Sequence, residues 1–68
     1  MTRLRINGEE AEIAAATVAE LLALRGIDPK ARFLAVAVNG SVVRRAEWPV
    51  AALSPGDSVE IVRPLQGG

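Results

Sequence analysis

The chain contains two Asn-Gly pairs, Asn7-Gly8 and Asn39-Gly40, and these pairs constrain its fold more than any other feature. An Asn-Gly pair accepts the positive φ angles of a two-residue type I′ turn, which joins two antiparallel strands. The first pair follows Thr2–Ile6, where polar and apolar residues alternate as in a strand with one buried face. We therefore predict that Glu9–Ile13 returns beside it and that the chain opens with a β-hairpin.

The second Asn-Gly pair predicts another hairpin in the middle of the chain. The segment before it, Phe33–Val38, is apolar at every position, which is typical of a strand covered on both faces. After the turn, Ser41–Val43 is long enough for a short returning strand. We therefore expect a buried strand that begins at Phe33, followed by a short antiparallel partner.

A helix is predicted between the two hairpins. Thr17 and Glu20 have the spacing of a capping box, in which the threonine hydroxyl accepts from the Glu20 amide and the glutamate accepts from the Thr17 amide. The helix then begins at Val18, and Gly26 suits the left-handed residue that commonly ends a helix. The apolar stripe of this helix contains Val18, Leu21 and Leu22. Such a helix can cover one face of a sheet.

The last part of the chain predicts one more strand. Trp48–Leu53 has no regular pattern, and Pro55-Gly56-Asp57 is a turn sequence. Ser58–Arg63 then alternates, with Val59 and Ile61 on its inner face. A strand therefore closes the chain after an irregular crossover segment.

This order of elements predicts an α+β fold of the β-grasp, or ubiquitin-like, class. We expect a mixed sheet of about five strands with one main helix packed on one face. The last strand is placed beside the first at the centre of the sheet. The strand after the helix is expected to run parallel to the first strand, because crossover connections are right-handed.

The composition excludes several kinds of active site. The sequence has no cysteine and no histidine, which argues against zinc sites, iron-sulfur clusters, thiol nucleophiles and serine hydrolase triads. Eight basic and eight acidic residues give a net charge of zero, which argues against binding to nucleic acid or to a membrane. Partners are therefore expected to be proteins. Because the start of the sequence has no hydrophobic signal region, the expected location is the cytoplasm.

The end of the sequence remains as the candidate site. We divide the chain into a β-grasp domain, residues 1–63, and a flexible C-terminal tail, residues 64–68, which ends in Gly-Gly. Glycine lacks a Cβ atom, so such a tail can pass through a narrow channel in a partner, and five extended residues span at most about 16–18 Å. The alternative is an ordinary frayed terminus. Two terminal glycines, taken on their own, favour this alternative.

Several segments together resemble the ThiS family, the sulfur carrier proteins of thiamine biosynthesis. They are the Gly67-Gly68 pair, Val36–Gly40, Glu47-Trp48 and Leu53–Val62, in the β-grasp order of elements. The resemblance covers essentially the whole chain. Members of the family often have proline where this chain has Arg44, which leaves the local turn at that position open.

The resemblance implies a carrier that is not itself an enzyme and binds no cofactor. An adenylating enzyme of the ThiF kind would use ATP to activate the carboxylate of Gly68. A sulfur donor, such as the persulfide of a cysteine desulfurase, would then convert that group to a thiocarboxylate. A thiazole synthase of the ThiG kind would take the sulfur for the thiazole ring of thiamine. In this account Gly67 gives clearance, while Gln66 and Leu65 help to seat the tail in the partner.

Other interpretations stay open at this point. A molybdopterin-type carrier of the MoaD kind would share the fold and the thiocarboxylate chemistry, and a ubiquitin-like binding module would have an inert tail. A third alternative is conjugation of Gly68 to lysines of target proteins. The adenylating enzyme also needs a docking surface, which we expect on the solvent face of the sheet. Trp48 is either a hot spot of that surface or a core residue beneath the crossover segment.

Overall fold

The computed structural model describes residues 1–63 of the chain, and the predicted tail at 64–68 lies outside the described residues. Within the described part, the elements follow the predicted order. They are β1 (Thr2–Ile6), β2 (Glu9–Ile13), α1 (Val18–Leu24), β3 (Ala35–Val38), β4 (Ser41–Val43), a 3₁₀ turn (Arg45–Glu47) and β5 (Ser58–Val62). The helix is seven residues long. In residues 1–63 no helix is long and apolar enough to cross a membrane.

The strands form one mixed sheet in the order β2-β1-β5-β3-β4. Strand β5 lies at the centre, parallel to β1 and antiparallel to β3, which confirms the predicted pairing of the last strand with the first. The predicted direction of β3 is wrong, because these pairings make β3 antiparallel to β1. The helical crossover starts from β2, which is itself antiparallel to β1, so the right-handed connection makes β3 parallel to β2.

Both Asn-Gly pairs form the predicted two-residue turns. Asn7 has a φ of 51° and Asn39 has a φ of 53°, and the glycine after each also has a positive φ. The strand registers pair Ile6 with Glu9 and Val38 with Ser41, so each turn contains only its Asn-Gly pair. These angles are those of the type I′ turns that join twisted antiparallel strands.

The helix begins and ends as its sequence predicts, with one difference at the start. The Thr17 hydroxyl accepts from the Glu20 amide at 3.2 Å, but the Glu20 carboxylate accepts from the Ala16 amide, at 2.8 Å, and not from the Thr17 amide. At the other end, Gly26 has a φ of 71°, and the Ile27 amide donates to the carbonyl of Leu22 at 2.9 Å. This bond is the six-to-one bond of a Schellman cap.

The core lies between the helix and one face of the sheet. The predicted helical stripe is buried, and Val59 and Ile61 of β5 face it as expected. The crossover segment closes the core at one side, where the Leu53 amide donates to the Ala16 carbonyl at 2.9 Å. The core residues are Leu4, Ile6, Ala15, Val18, Leu21, Leu22, Ile27, Leu34, Val36, Trp48, Leu53, Val59 and Ile61.

The prediction of a buried strand from Phe33 to Val38 is wrong in two respects. The strand begins at Ala35, because Phe33 has a φ of 62° and so cannot continue an extended strand. Only one face of the strand is buried: Val36 is in the core, whereas Ala35 is exposed. The short side chains of the two alanines make an exposed face inexpensive, so the apolar run did not require a second covering layer.

Candidate functional site

The predicted site residues Leu65, Gln66, Gly67 and Gly68 all lie outside the described residues. The described residues show where the chain leaves the sheet to reach them. Strand β5 ends at Val62 at the centre of the sheet, and Arg63 is the last described residue. We call Val62 and Arg63, where the chain leaves β5, the tail root. The residues around the tail root are the described part of the candidate site.

On one side of β5, the tail root is held by an ordinary strand. Ala35 of β3 pairs with Val62 in the antiparallel ladder, and Val36 pairs with Ile61. This pairing extends to the last residue of β5. The backbone of the strand is therefore fixed on the β3 side up to the point where the chain leaves the sheet.

On the other side of β5, a side chain takes the place of a strand. Strand β1 ends at Ile6, which pairs with Val59. Beyond it, Asn7 Oδ1 accepts from the Ile61 amide at 2.8 Å, and Asn7 Nδ2 donates to the Ile61 carbonyl at 3.3 Å. Sequence reasoning assigned Asn7 only to the turn. We call this pair of hydrogen bonds the Asn7 clasp.

The start of β5 is held by the second turn asparagine. Asn39 Oδ1 accepts from the Ser58 amide at 2.9 Å, and Asn39 Nδ2 donates to Asp57 Oδ1 at 3.0 Å. The other carboxylate oxygen of Asp57 accepts from the Ser54 amide at 2.8 Å. The two turn asparagines therefore bind the central strand at its opposite ends.

The solvent face of the sheet beside the tail root is apolar. Directly opposite residues of neighbouring strands share a face, so the Ala35–Val62 and Ala37–Val42 pairs place these four side chains together. Val42 is 77% exposed and Val62 is 60% exposed. We call Ala35, Ala37, Val42 and Val62 the outer apolar patch. Glu60, opposite Ala37, adds an exposed carboxylate to it.

The other half of the same face is charged and internally compensated. Arg3 lies 3.0 Å from Glu12 and 3.7 Å from Glu10, and Arg5 lies 3.3 Å from Glu10. The hydrogen bond that Arg3 donates to Glu12, followed by the charges of Glu12 and Glu10, raises the pKa of Arg3. Exposed pairs of this kind contribute little to stability. In this half of the face, the charges of Arg3 and Arg5 are already paired with glutamates. The apolar side chains of the other half, the outer apolar patch, take no part in these ion pairs.

Phe33 precedes the start of β3, the end of that strand that lies beside the tail root. It is two residues before Ala35, which pairs with Val62. Its side chain is 80% exposed, and its positive φ is uncommon for a bulky residue. A left-handed conformation costs roughly 1–2 kcal/mol for a residue that has a Cβ atom. The chain therefore holds an aromatic ring in solvent at an energetic cost, two residues before Ala35 of the outer apolar patch.

The described residues form a cleft that is smaller than most ligand pockets. A cleft of about 190 Å³ is lined by Arg3, Arg5, Glu10 and Gly56, among others. Ligand pockets usually have volumes of about 300–1,000 Å³. Within residues 1–63, no three acidic, histidine or cysteine side chains are grouped as metal ligands.

Comparison with known families identifies the chain. Its sequence matches the model of the ThiS family over residues 4–68, a range that includes both the β-grasp domain and the last five residues. The chain belongs to the ThiS family.

Two solved structures are similar to this ThiS-family chain. One is the crystal structure of a thiamine biosynthesis protein (ThiS) from Geobacter metallireducens, with 28% identity and a TM-score of 0.78 over 98% of this chain and 100% of that one. The other is a solution NMR structure of a thiamine biosynthesis protein from the same organism, with the same identity and TM-score, over 98% of this chain and 88% of that one. These structural similarities confirm the β-grasp prediction. No curated protein gives a significant match.

Trp48 belongs to the core of this ThiS-family chain, as one of the two interpretations predicted. It is 2% exposed, and its indole Nε1 donates to the Val43 carbonyl at 2.9 Å. Its own carbonyl accepts from the Ala19 amide of the helix at 3.0 Å. A buried side chain cannot serve as a hot spot on the surface, so the alternative role for Trp48 is wrong.

The local turn at Arg44, which the resemblance left open, has a geometry that proline could also adopt. Arg44 precedes the 3₁₀ turn with a φ of −65° and a ψ of 146°. Proline fixes φ near this value. Arg44 therefore adopts a proline-like backbone conformation.

Proposed function

We propose that this chain is a sulfur carrier whose C-terminal Gly68 is converted to a thiocarboxylate and supplies sulfur for the thiazole moiety of thiamine. The observation that carries the proposal is the ThiS-family match, which spans the folded domain and the Gly-Gly end together. The similarity to thiamine biosynthesis proteins from Geobacter metallireducens supports the same pathway. A molybdopterin-type carrier has no such support.

The chemistry requires enzymes other than the carrier. An ionised carboxylate is a poor electrophile, so an adenylating enzyme of the ThiF kind first transfers AMP from ATP to Gly68 and releases pyrophosphate. The outer sulfur of a persulfide, supplied by a donor such as a cysteine desulfurase, then attacks the acyl carbon and AMP leaves. A partner thiol cleaves the resulting acyl disulfide and releases the thiocarboxylate. The carrier contributes only the reacting carbon, and we propose that it is not an enzyme.

The adenylating enzyme is proposed to dock on the outer apolar patch together with Phe33. The patch adjoins the tail root, so a protein bound there lies within the span of about 16–18 Å that five extended residues can reach. Exposed apolar side chains gathered on one surface are typical of protein interaction sites. Glu60 within the patch favours an enzyme surface with a basic residue at the facing position.

In this proposal the tail reaches into the enzyme while the domain stays outside. Gly67 allows the backbone to pass through a narrow channel, and Gln66 and Leu65 contact its walls. The thiocarboxylate is then delivered to a thiazole synthase of the ThiG kind. All of these steps belong to the cytoplasm, where ATP and the reduced thiols that they use are available.

Mass spectrometry of the intact protein tests the proposal. The chain is incubated with an adenylating enzyme of the ThiF kind, ATP and a persulfide donor, and its mass should rise by about 16 Da as sulfur replaces one oxygen. A variant that lacks Gly68 should show no rise while it keeps the melting temperature of the full chain. An unchanged mass with several adenylating enzymes would instead indicate an inert binding module, and bands of higher mass that survive denaturation would indicate conjugation.

A growth experiment tests the destination of the sulfur. A strain that lacks this protein should require thiazole for growth, and molybdenum-cofactor precursors should not restore it. Rescue by those precursors alone would assign the chain to the molybdopterin-type carriers.

A further inference from the structure

We propose that Asn7 is a positioning residue for sulfur charging: its side chain fixes the direction in which the tail leaves the sheet. This role rests on the sulfur-carrier function proposed above. It concerns a side chain that lies more than 50 residues from the reacting glycine in the sequence and forms two hydrogen bonds to the backbone of Ile61 in β5.

The Asn7 clasp replaces a piece of strand that β1 does not provide. In a parallel ladder, the backbone of one strand binds alternate residues of its neighbour at even spacing. Here the Arg5 amide donates to the Asp57 carbonyl at 2.9 Å, and the Asn7 amide donates to the Val59 carbonyl at 2.9 Å. The next residue in this series is Ile61. The turn bends the main chain away after Asn7, so its side-chain amide supplies both an acceptor and a donor to Ile61.

The position of this clasp decides what it can control. Ile61 lies two residues before Arg63, where the described chain ends, and only one further residue of β5 follows it. The β3 ladder holds the other side of β5, so the clasp completes the support of the tail root. Because five residues reach at most about 16–18 Å, a change of direction at the root changes which positions the terminal carboxylate can reach. Catalytic rates are sensitive to misplacement of about 1 Å.

Asn39 provides a matched control within the same chain. It also precedes a glycine, has nearly the same φ, and forms two side-chain hydrogen bonds, one of them to the backbone of β5. It binds the start of the strand at Ser58, however, and not the end that leads to the tail. A comparison of the two asparagines therefore separates a general effect on the fold from an effect on tail position.

The test compares Asn7→Gly with Asn39→Gly in the charging reaction. Glycine accepts the positive φ of both turns, so each variant loses only the side chain. We expect kcat for charging by the adenylating enzyme to fall about tenfold in Asn7→Gly, because the carboxylate reaches the nucleotide less often in the right geometry. KM should change by less than about twofold, because the outer apolar patch is intact. Asn39→Gly should keep the kcat of the original chain.

Two outcomes would overturn the proposal directly. One is an unchanged kcat in Asn7→Gly, and the other is an equal fall in both variants, which would mean that the turns act only through stability. Hydrogen exchange of the Ile61 amide adds a reading that does not depend on charging, since it should become faster in Asn7→Gly and not in Asn39→Gly. An original chain that is never charged would overturn the sulfur-carrier function and this role together, whereas fast exchange with normal charging would overturn this role alone.

Discussion

The guanidinium of Arg45 lies over the ring of Trp48, 4.9 Å from its centroid, and binds the loop between α1 and β3 at the same time. It donates to the carbonyl of Pro29 and, at 2.8 Å, to the carbonyl of Ala31, the residues on either side of Lys30. One side chain thus joins the 3₁₀ turn, the buried tryptophan and the loop that leads into Phe33. This contact holds the loop that precedes Phe33.

Arg45→Lys is expected to lower the free energy of unfolding by about 1 kcal/mol, although the charge is kept. A lysine ammonium is not planar, so it cannot stack on the indole while it donates to two carbonyls in a fixed fork. Urea denaturation followed by circular dichroism measures the change. Arg44→Lys is the control, because Arg44 makes no side-chain hydrogen bond within residues 1–63. Equal stability of the two lysine variants would show that the Arg45 contacts contribute nothing.

Trp48→Phe is expected to destabilise the fold by about 1–3 kcal/mol. The phenyl ring fills most of the indole volume but has no N–H group, so the hydrogen bond to the Val43 carbonyl is lost. Circular dichroism in urea is the measurement, since the only tryptophan is removed. Val50→Ala, at a side chain that is 77% exposed, should change the stability by less than about 0.5 kcal/mol. A stability loss for Trp48→Phe no larger than that of the control would contradict the buried role.

The turns and the helix were predictable because their determinants are local. Asn-Gly pairs and the Thr17–Glu20 capping box act over four residues or fewer, and the structure has both turns and the threonine half of the box. The Asn7 clasp was not predictable in the same way, because its partner Ile61 is separated from it by 54 positions. No local pattern reports which strand will lie beside a turn.

The error at Phe33 has a similar origin. An apolar side chain in an apolar run favours a strand, and nothing in the six residues indicates a positive φ. The loop before it is held by Arg45, whose contacts join positions 14 and 16 residues apart. Contacts at that separation fix the entry into β3, so tertiary structure overrides the local preference. The direction of β3 also depends on a neighbouring element. The strand that leads into the helix is β2 and not β1, so the crossover rule sets β3 parallel to β2.

Gly26→Ala is expected to cost roughly 1–2 kcal/mol, because the residue stays in the left-handed region that closes the Schellman cap. An added Cβ atom would meet nothing within 4 Å, so the cost is conformational and not steric. Gly26→Asn tests this distinction, since asparagine tolerates the left-handed region better than alanine. Thermal unfolding should rank the original chain first, the asparagine variant second and the alanine variant last. A reversed order of the two variants would mean that the cap is not limited by φ.

Phe33→Asn is expected to separate stability from recognition. Asparagine adopts a positive φ more readily than phenylalanine, and the ring is 80% exposed, so its loss removes little packing. The free energy of unfolding should therefore stay equal or rise by up to about 1 kcal/mol. KM for charging by the adenylating enzyme should increase severalfold, because the ring contributes apolar contact area beside the tail root. Val50→Ala, which removes exposed apolar surface on the crossover segment, should leave KM unchanged. Lower stability of Phe33→Asn would show that the ring contributes to the fold, whereas an original KM in both variants would show that the ring has no role in docking.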